Sequence, residues 1–143
     1  MQAKPVDTLN ELLRGEISAV ETYRQALEKL TSSDARMQLE DACRSHELRV
    51  QKLRDQVVRL GGKPDETSGA WGAFARLVEG GAKTFGEKAA IAALEEGEDR
   101  GLKLYRGDLS GLDPASRQFV QTDLLTPQEQ THRTMSTLKK TIS

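Results

Sequence analysis

Hydrophobic positions along this chain recur at alternating intervals of 4 and 3, the period of one face of an α-helix. The clearest run is Leu39, Cys43, His46, Val50, Leu53, Val57 and Leu60, which predicts a helix over about 34–60. An earlier run, Leu9, Leu13, Glu16, Val20, Tyr23, Leu27 and Leu30, predicts one over about 8–30. Thr8 or Asp7 is its expected N-cap, with Glu11 completing a capping box with Thr8. Thr31-Ser32-Ser33-Asp34 makes the turn between these helices, and Gly61-Gly62-Lys63-Pro64 stops the second. A third run, Ile91, Glu95, Glu98, Leu102, Tyr105 and Leu109, flanked by Leu94, predicts a helix over about 87–109. Asp113 is the expected cap of a fourth, with Pro114 at its first position, over about 114–140. Pro127 is expected to kink that helix or divide it in two, and beyond it Glu129, His132, Met135 and Leu138 share a face.

Residues 61–86 are glycine-dense and carry Trp71, Phe74, Leu77, Val78 and Phe85. They read as a crossover packed over the bundle end, with a short helix from Ala70 to Val78. No segment alternates with the period of a strand. The fold class is therefore all-α: an antiparallel four-helix bundle, one domain over 1–143, with a long crossover between helices two and three.

Composition narrows the partners. A hydrophobic fraction of 36% with 30% charged residues suits amphipathic helices with wet outer faces. The net charge of −1 recommends neither nucleic acid nor an anionic membrane. With a single cysteine no internal disulfide can form, and no apolar run approaches a signal or transmembrane segment, so a cytoplasmic location is expected.

The chemistry lies in the residues that break the stripes. Glu16, His46 and Glu98 interrupt apolar faces on three helices, and Glu129 with His132 forms Glu-x-x-His on the fourth. Such a spacing puts both side chains on one helix face. Two glutamates and Glu-x-x-His pairs on four helices are how bundle cores hold two iron or manganese ions. Their depths agree: Glu16 and His46 have their midpoint at position 31, in the first turn, and Glu98 and His132 at 115, beside the second. Both pairs thus lie roughly 20 Å from their connection, at about 1.5 Å per residue. Gly15-Glu16 with Tyr23, and Gly97-Glu98 with Tyr105, suggest a repeated hairpin whose tyrosines donate hydrogen bonds to the carboxylates.

This order of residues resembles the ferritin-like superfamily, and Gly15-Glu16-x-x-Ala19-x-x-x-Tyr23 is similar to the first metal helix of rubrerythrins. Over about 6–141, and particularly through Leu60-Gly61-Gly62-Lys63-Pro64 to Ser68-Gly69, the chain resembles an uncharacterised bacterial family known only as a domain of unknown function. The resemblance implies a metal site of Glu16, His46, Glu98, Glu129 and His132, with Glu95 as an extra ligand and Tyr23 and Tyr105 behind them. It implies iron (two ions, or manganese or zinc), oxygen or peroxide as substrate, and an oxidase, peroxidase or iron-handling role in stress response. A homo-oligomer is also expected.

One position departs from the pattern. Cys43 stands where the second helix should carry a bridging glutamate, and reads either as a thiolate ligand or as a small core residue. Glu129 likewise has two readings, a metal ligand or the capping-box partner of Thr126 in Thr126-Pro127-Gln128-Glu129. The alternative function is a metal-free helical scaffold or interaction protein that has lost the two-metal site.

Overall fold

The computed structural model describes residues 3–30, 33–69, 86–107 and 109–142. Its elements are α1 (Ala3–Lys29), α2 (Ser33–Arg59), α3 (Glu87–Arg106), α4 (Pro114–Phe119), a π-helical turn (Val120–Leu125) and α5 (Thr126–Ile142). The last three run on without a break, so four rods form the bundle, and the described residues contain no strand. No described helix is long and apolar enough to cross a membrane.

The first helix begins earlier than its expected cap. Its apolar repeat extends back one turn to the buried Val6, and Pro5 falls in the first turn, where a missing N–H costs no bond. Thr8 therefore sits inside the helix, where its hydroxyl donates back to the Lys4 carbonyl at 3.1 Å, and no Thr8–Glu11 capping box forms. At the start of α4 the cap is Asp113, whose Oδ2 accepts from the Ser116 N–H at 3.3 Å, with Pro114 next in the chain.

Pro127 neither ends the fourth rod nor starts a new one. Thr126 has helical dihedrals, φ −60° and ψ −50°, so it is no N-cap. Immediately before it the helix widens into the π turn, and the reason lies in the register. Continuing the face of Ser116 and Val120 at intervals of 3 and 4 would bring Asp123, Pro127, Gln130 and Thr134 inward. A π turn takes up one extra residue, and with it Leu124, Gln128, Thr131, Met135 and Leu138 face the core instead.

Two apolar clusters fill the interior. One gathers Leu9, Leu13, Leu53, Val57, Tyr105, Val120 and Leu124; the other gathers Val20, Tyr23, Leu39, Cys43, Ile91, Leu94 and Met135. The halves of each rod that join each cluster give the directions: α1 and the fourth rod run one way, α2 and α3 the other. The chain between Arg59 and Glu87 therefore joins opposite ends of the bundle, as one long crossover must. The short helix expected from Ala70 to Val78, with the lid of Trp71, Phe74, Leu77, Val78 and Phe85, lies outside the described residues.

The start of this crossover is clamped onto α1. Asn10 donates from Nδ2 to the Lys63 carbonyl at 3.0 Å and accepts the Asp65 N–H on Oδ1 at 2.9 Å, while Arg14 pairs with Asp65. Gly62 passes so close to α1 that a Cβ there would lie 2.6 Å from a Val6 methyl. Gly62→Ala is accordingly expected to lower stability by about 1–3 kcal/mol through overpacking. Urea denaturation of Gly62→Ala and of Gly62→Ala with Val6→Ala checks this: the second change should recover part of the loss, and simple additivity of two penalties would contradict the close contact.

Candidate functional site

Between the two apolar clusters lies a polar layer to which every rod contributes. Glu16 comes from α1, His46 and Arg49 from α2, Glu98 from α3, and Gln128 and Thr131 from α5; all are buried. The intervals explain the placement. His46 and Arg49 stand three apart on α2, and Gln128 and Thr131 three apart on α5, so each pair shares one inward face.

His46 is the bridge. Its Nδ1 meets Glu16 Oε1, and its Nε2 meets Glu98 Oε2 at 2.7 Å. A ring with a carboxylate at each nitrogen is satisfied only when both nitrogens carry protons, because carboxylates only accept. Burial works most strongly against the charge on His46, but Glu98 and Glu16 outweigh it and raise the pKa above the usual 6.5. The Tyr23 ring stacks on the imidazole with centroids 5.3 Å apart.

Both oxygens of each carboxylate have a partner. Glu16 Oε2 accepts from Arg49 Nη1 at 3.2 Å and from the Tyr105 hydroxyl. Glu98 Oε2 also accepts from the Tyr23 hydroxyl at 2.5 Å, and its Oε1 from Thr131 at 2.7 Å and Gln128 at 3.0 Å. For Glu16 burial is the largest influence and opposes ionisation, yet Arg49, His46 and the hydrogen bonds from His46 and Tyr105 bring its pKa to about 2. Glu98 is lowered in the same way, with burial overcome by His46, Tyr23 and Thr131. Both tyrosines move well above 10, first by burial and then by the carboxylate each one faces. With His46 protonated, as a carboxylate at each ring nitrogen favours, the layer holds two anions and two cations and is neutral.

The tyrosines are exchanged between the repeats. Tyr23, on the helix of Glu16, serves Glu98; Tyr105, on the helix of Glu98, serves Glu16. The two pairings share one midpoint in the chain, so each tyrosine lies level with the other helix's glutamate across the antiparallel pair. A cavity of about 40 Å³ lies beside this exchange, between Gly15 and Ala19 on α1 and Gly97 and Gly101 on α3. That is room for a few waters next to Glu16 and Glu98.

The residues marked out by sequence are thus divided. Glu16, His46 and Glu98 meet, with Tyr23 and Tyr105 behind them. Glu129 is turned to the surface, where it pairs with Arg106 at 2.8 Å, and it caps nothing. His132 lies one position off the inward face, 3.6 Å from both Glu95 and Asp99. Glu95 is partly exposed and also meets Ser136 at 3.3 Å and Lys139 at 3.6 Å. Cys43 packs in the apolar cluster next to α1, where burial, reinforced by Glu47, raises its thiol pKa.

Arg49, Gln128 and Thr131 complete the layer and are not among the residues that the stripes mark out. The signal for the last two was present: stepping back from Leu138 and Met135 by the same 3-and-4 rhythm reaches Thr131 and Gln128, not His132 and Glu129. Two divalent ions need carboxylate and imidazole lone pairs turned to a common point. Here those lone pairs are taken by His46 and Arg49, a fixed cation stands among them, and Gln128 and Thr131 occupy the facing positions of the fourth rod. This donor set, in this arrangement, does not fit a two-metal centre.

The shifts set a pH window. Glu16 contributes stability above its unfolded pKa near 4.5, and that contribution is lost as the pH falls toward about 2. His46 contributes fully below its unfolded value of 6.5, and its contribution is lost as the pH rises through the raised folded value. Thermal melts across pH should therefore peak between these limits, and His46→Gln should abolish the decline on the alkaline side. An unchanged alkaline limb in that variant would place the titration elsewhere.

Comparison with known proteins adds a family and no activity. No curated protein and no solved structure matches the chain. A family model does match, over residues 4–109, a span that takes in α1, α2 and α3 and ends before Gln128 and Thr131. The chain belongs to the family described as a domain of unknown function, DUF2383.

Proposed function

We propose that this chain is a metal-independent helical scaffold of ferritin-like descent, which acts by associating with itself or with another protein. One observation carries the reading: each ring nitrogen of His46 faces a buried carboxylate, Glu16 of one helical hairpin and Glu98 of the other. In a bundle that binds metal through such residues, the imidazole must offer a lone pair. Here both of its nitrogens serve as donors, so the imidazole joins the two hairpins and has nothing left to offer an ion.

The four rods with a single long crossover support the ferritin-like descent, as does the Gly-Glu…Tyr unit repeated on α1 and α3. Gln128 and Thr131 would then stand where a metal-binding bundle carries its last ligands. Buried ionic layers of this kind add little net stability compared with an apolar core, but they specify how elements meet. The scaffold reading gives that layer a role, namely holding the two hairpins in one register. The lone, buried Cys43 suits a reducing compartment, and we place the scaffold in the cytoplasm.

The test is elemental analysis of protein purified without chelators or a histidine-rich tag, then reloaded anaerobically with ferrous iron. The expected result is no stoichiometric metal and an unchanged melting temperature on adding iron, manganese or zinc. His46→Ala should cost about 3–5 kcal/mol by leaving two buried carboxylates short of a partner, with or without metal in the buffer. Two metals per chain with a raised melting temperature would overturn the scaffold reading in favour of an oxidase, peroxidase or iron-handling protein.

A further inference from the structure

Arg49 has the largest side chain fully buried among the described residues, at 1% exposure. A guanidinium carries five N–H donors in a planar fork, and in this protein each has its own acceptor. Nε donates to the Ser45 carbonyl at 3.4 Å. Nη2 donates to Ser45 Oγ at 3.2 Å and to Thr131 Oγ1 at 3.1 Å. Nη1 donates to Glu16 Oε2 at 3.2 Å and to Gln128 Oε1. These acceptors come from α1, α2 and α5, so three rods build the receptacle.

The amide of Gln128 is itself held in place. Its Nε2 donates to the Glu98 carbonyl at 2.8 Å and to Glu98 Oε1 at 3.0 Å, which leaves the amide oxygen directed at Arg49. Gly101 makes the room for it: a Cβ there would come within 2.7 Å of Gln128 Nε2. Shape, charge and the number of acceptors in this pocket all correspond to one chemical class.

We infer that the polar layer contains a binding site for a planar guanidinium-type cation, and that the head of Arg49 fills it in cis. The site is a property of Glu16, Ser45, Gln128 and Thr131, and does not depend on the helix backbone at position 49. It follows that a free guanidinium ion can replace the head once the side chain is cut away. The inference goes beyond the scaffold reading, since it concerns what the core binds and not what the surface does.

Arg49→Ala in metal-free buffer tests it. Low-millimolar guanidinium chloride, far below denaturing concentrations, should raise the melting temperature of this variant by several degrees, while sodium chloride at equal ionic strength does not. Wild type should show no such gain. Should Arg49→Ala prove unfolded alone, helicity regained on adding guanidinium, read by circular dichroism, replaces the melting temperature. Arg49→Lys should melt below wild type, because three tetrahedral donors cannot reproduce the fork. Glu16→Gln combined with Arg49→Ala should lose the guanidinium response, since Glu16 supplies the charge.

Indifference of Arg49→Ala to guanidinium, an equal gain from sodium chloride, or a response that survives Glu16→Gln would each overturn the inference. Stronger stabilisation of Arg49→Ala by manganese or zinc than by guanidinium would also overturn it, by showing that the pocket prefers a compact divalent ion. These outcomes are separable from those for the scaffold reading, which are read on the wild-type chain with metal alone.

Discussion

The bridge from Glu16 through His46 to Glu98 is the constraint on which the arrangement of the rods depends. Apolar side chains pack in several registers at similar cost, because dispersion and hydrophobic burial are not directional. A buried imidazole between two carboxylates has one satisfied geometry. Sliding α3 by a turn against α1 and α2 would leave Glu98 charged and alone in a dry interior, which is far more costly than a mismatched leucine. Leu53, Ile91, Leu94 and Met135, with the rest of the two clusters, can therefore be read as filling a frame whose depth is set by the polar layer.

The layer is tolerable because it is complete. Desolvating two carboxylates, an imidazolium and a guanidinium carries a large penalty, and only full pairing offsets it. All four carboxylate oxygens, both imidazole nitrogens and every N–H of Arg49 have a partner. The tyrosine exchange adds a symmetry to this. Each hairpin completes the other's carboxylate, Tyr23 for Glu98 and Tyr105 for Glu16, so neither hairpin has a satisfied interior by itself. The repeat seen in the sequence is in this sense half of a site twice over.

Much of this was legible in the sequence, and the limits have a physical cause. Apart from Glu95, which is partly exposed while Leu94 beside it is buried, and Leu109, which lies past the end of α3, helices one to three follow their stripes, because a straight α-helix keeps one face on a 3-and-4 rhythm; this is why Glu16, His46 and Glu98 fall in one layer by arithmetic on turns. The same arithmetic slipped on the fourth rod. Glu129, His132, Met135 and Leu138 stand at three equal steps of 3, which drift off one helix face, whereas steps of 3 and 4 back from Leu138 lead to Thr131 and Gln128, the residues that face the core. Arg49 is hidden in the sequence for a different reason. Val50 beside it is apolar and continues the stripe, whereas an arginine is presumed to be solvated unless its partners are known. Those partners include Gln128 and Thr131, the inward residues of the fourth rod.

Charge explains why these omissions belong together. Two buried glutamates require two positive charges from somewhere, and a reading that finds only one histidine near them invites a metal to supply the balance. Arg49 changes the arithmetic: with His46 protonated the layer is neutral from the chain's own side chains. Gln128 and Thr131 are then the appropriate residues on the facing rod. A third carboxylate in their place would leave the layer negative, whereas an amide and a hydroxyl accept from Arg49 and donate to Glu98 without altering the balance. The fourth rod carries neutral residues inward because the second already carries the cation, and the extra residue in its wide turn is what delivers them there.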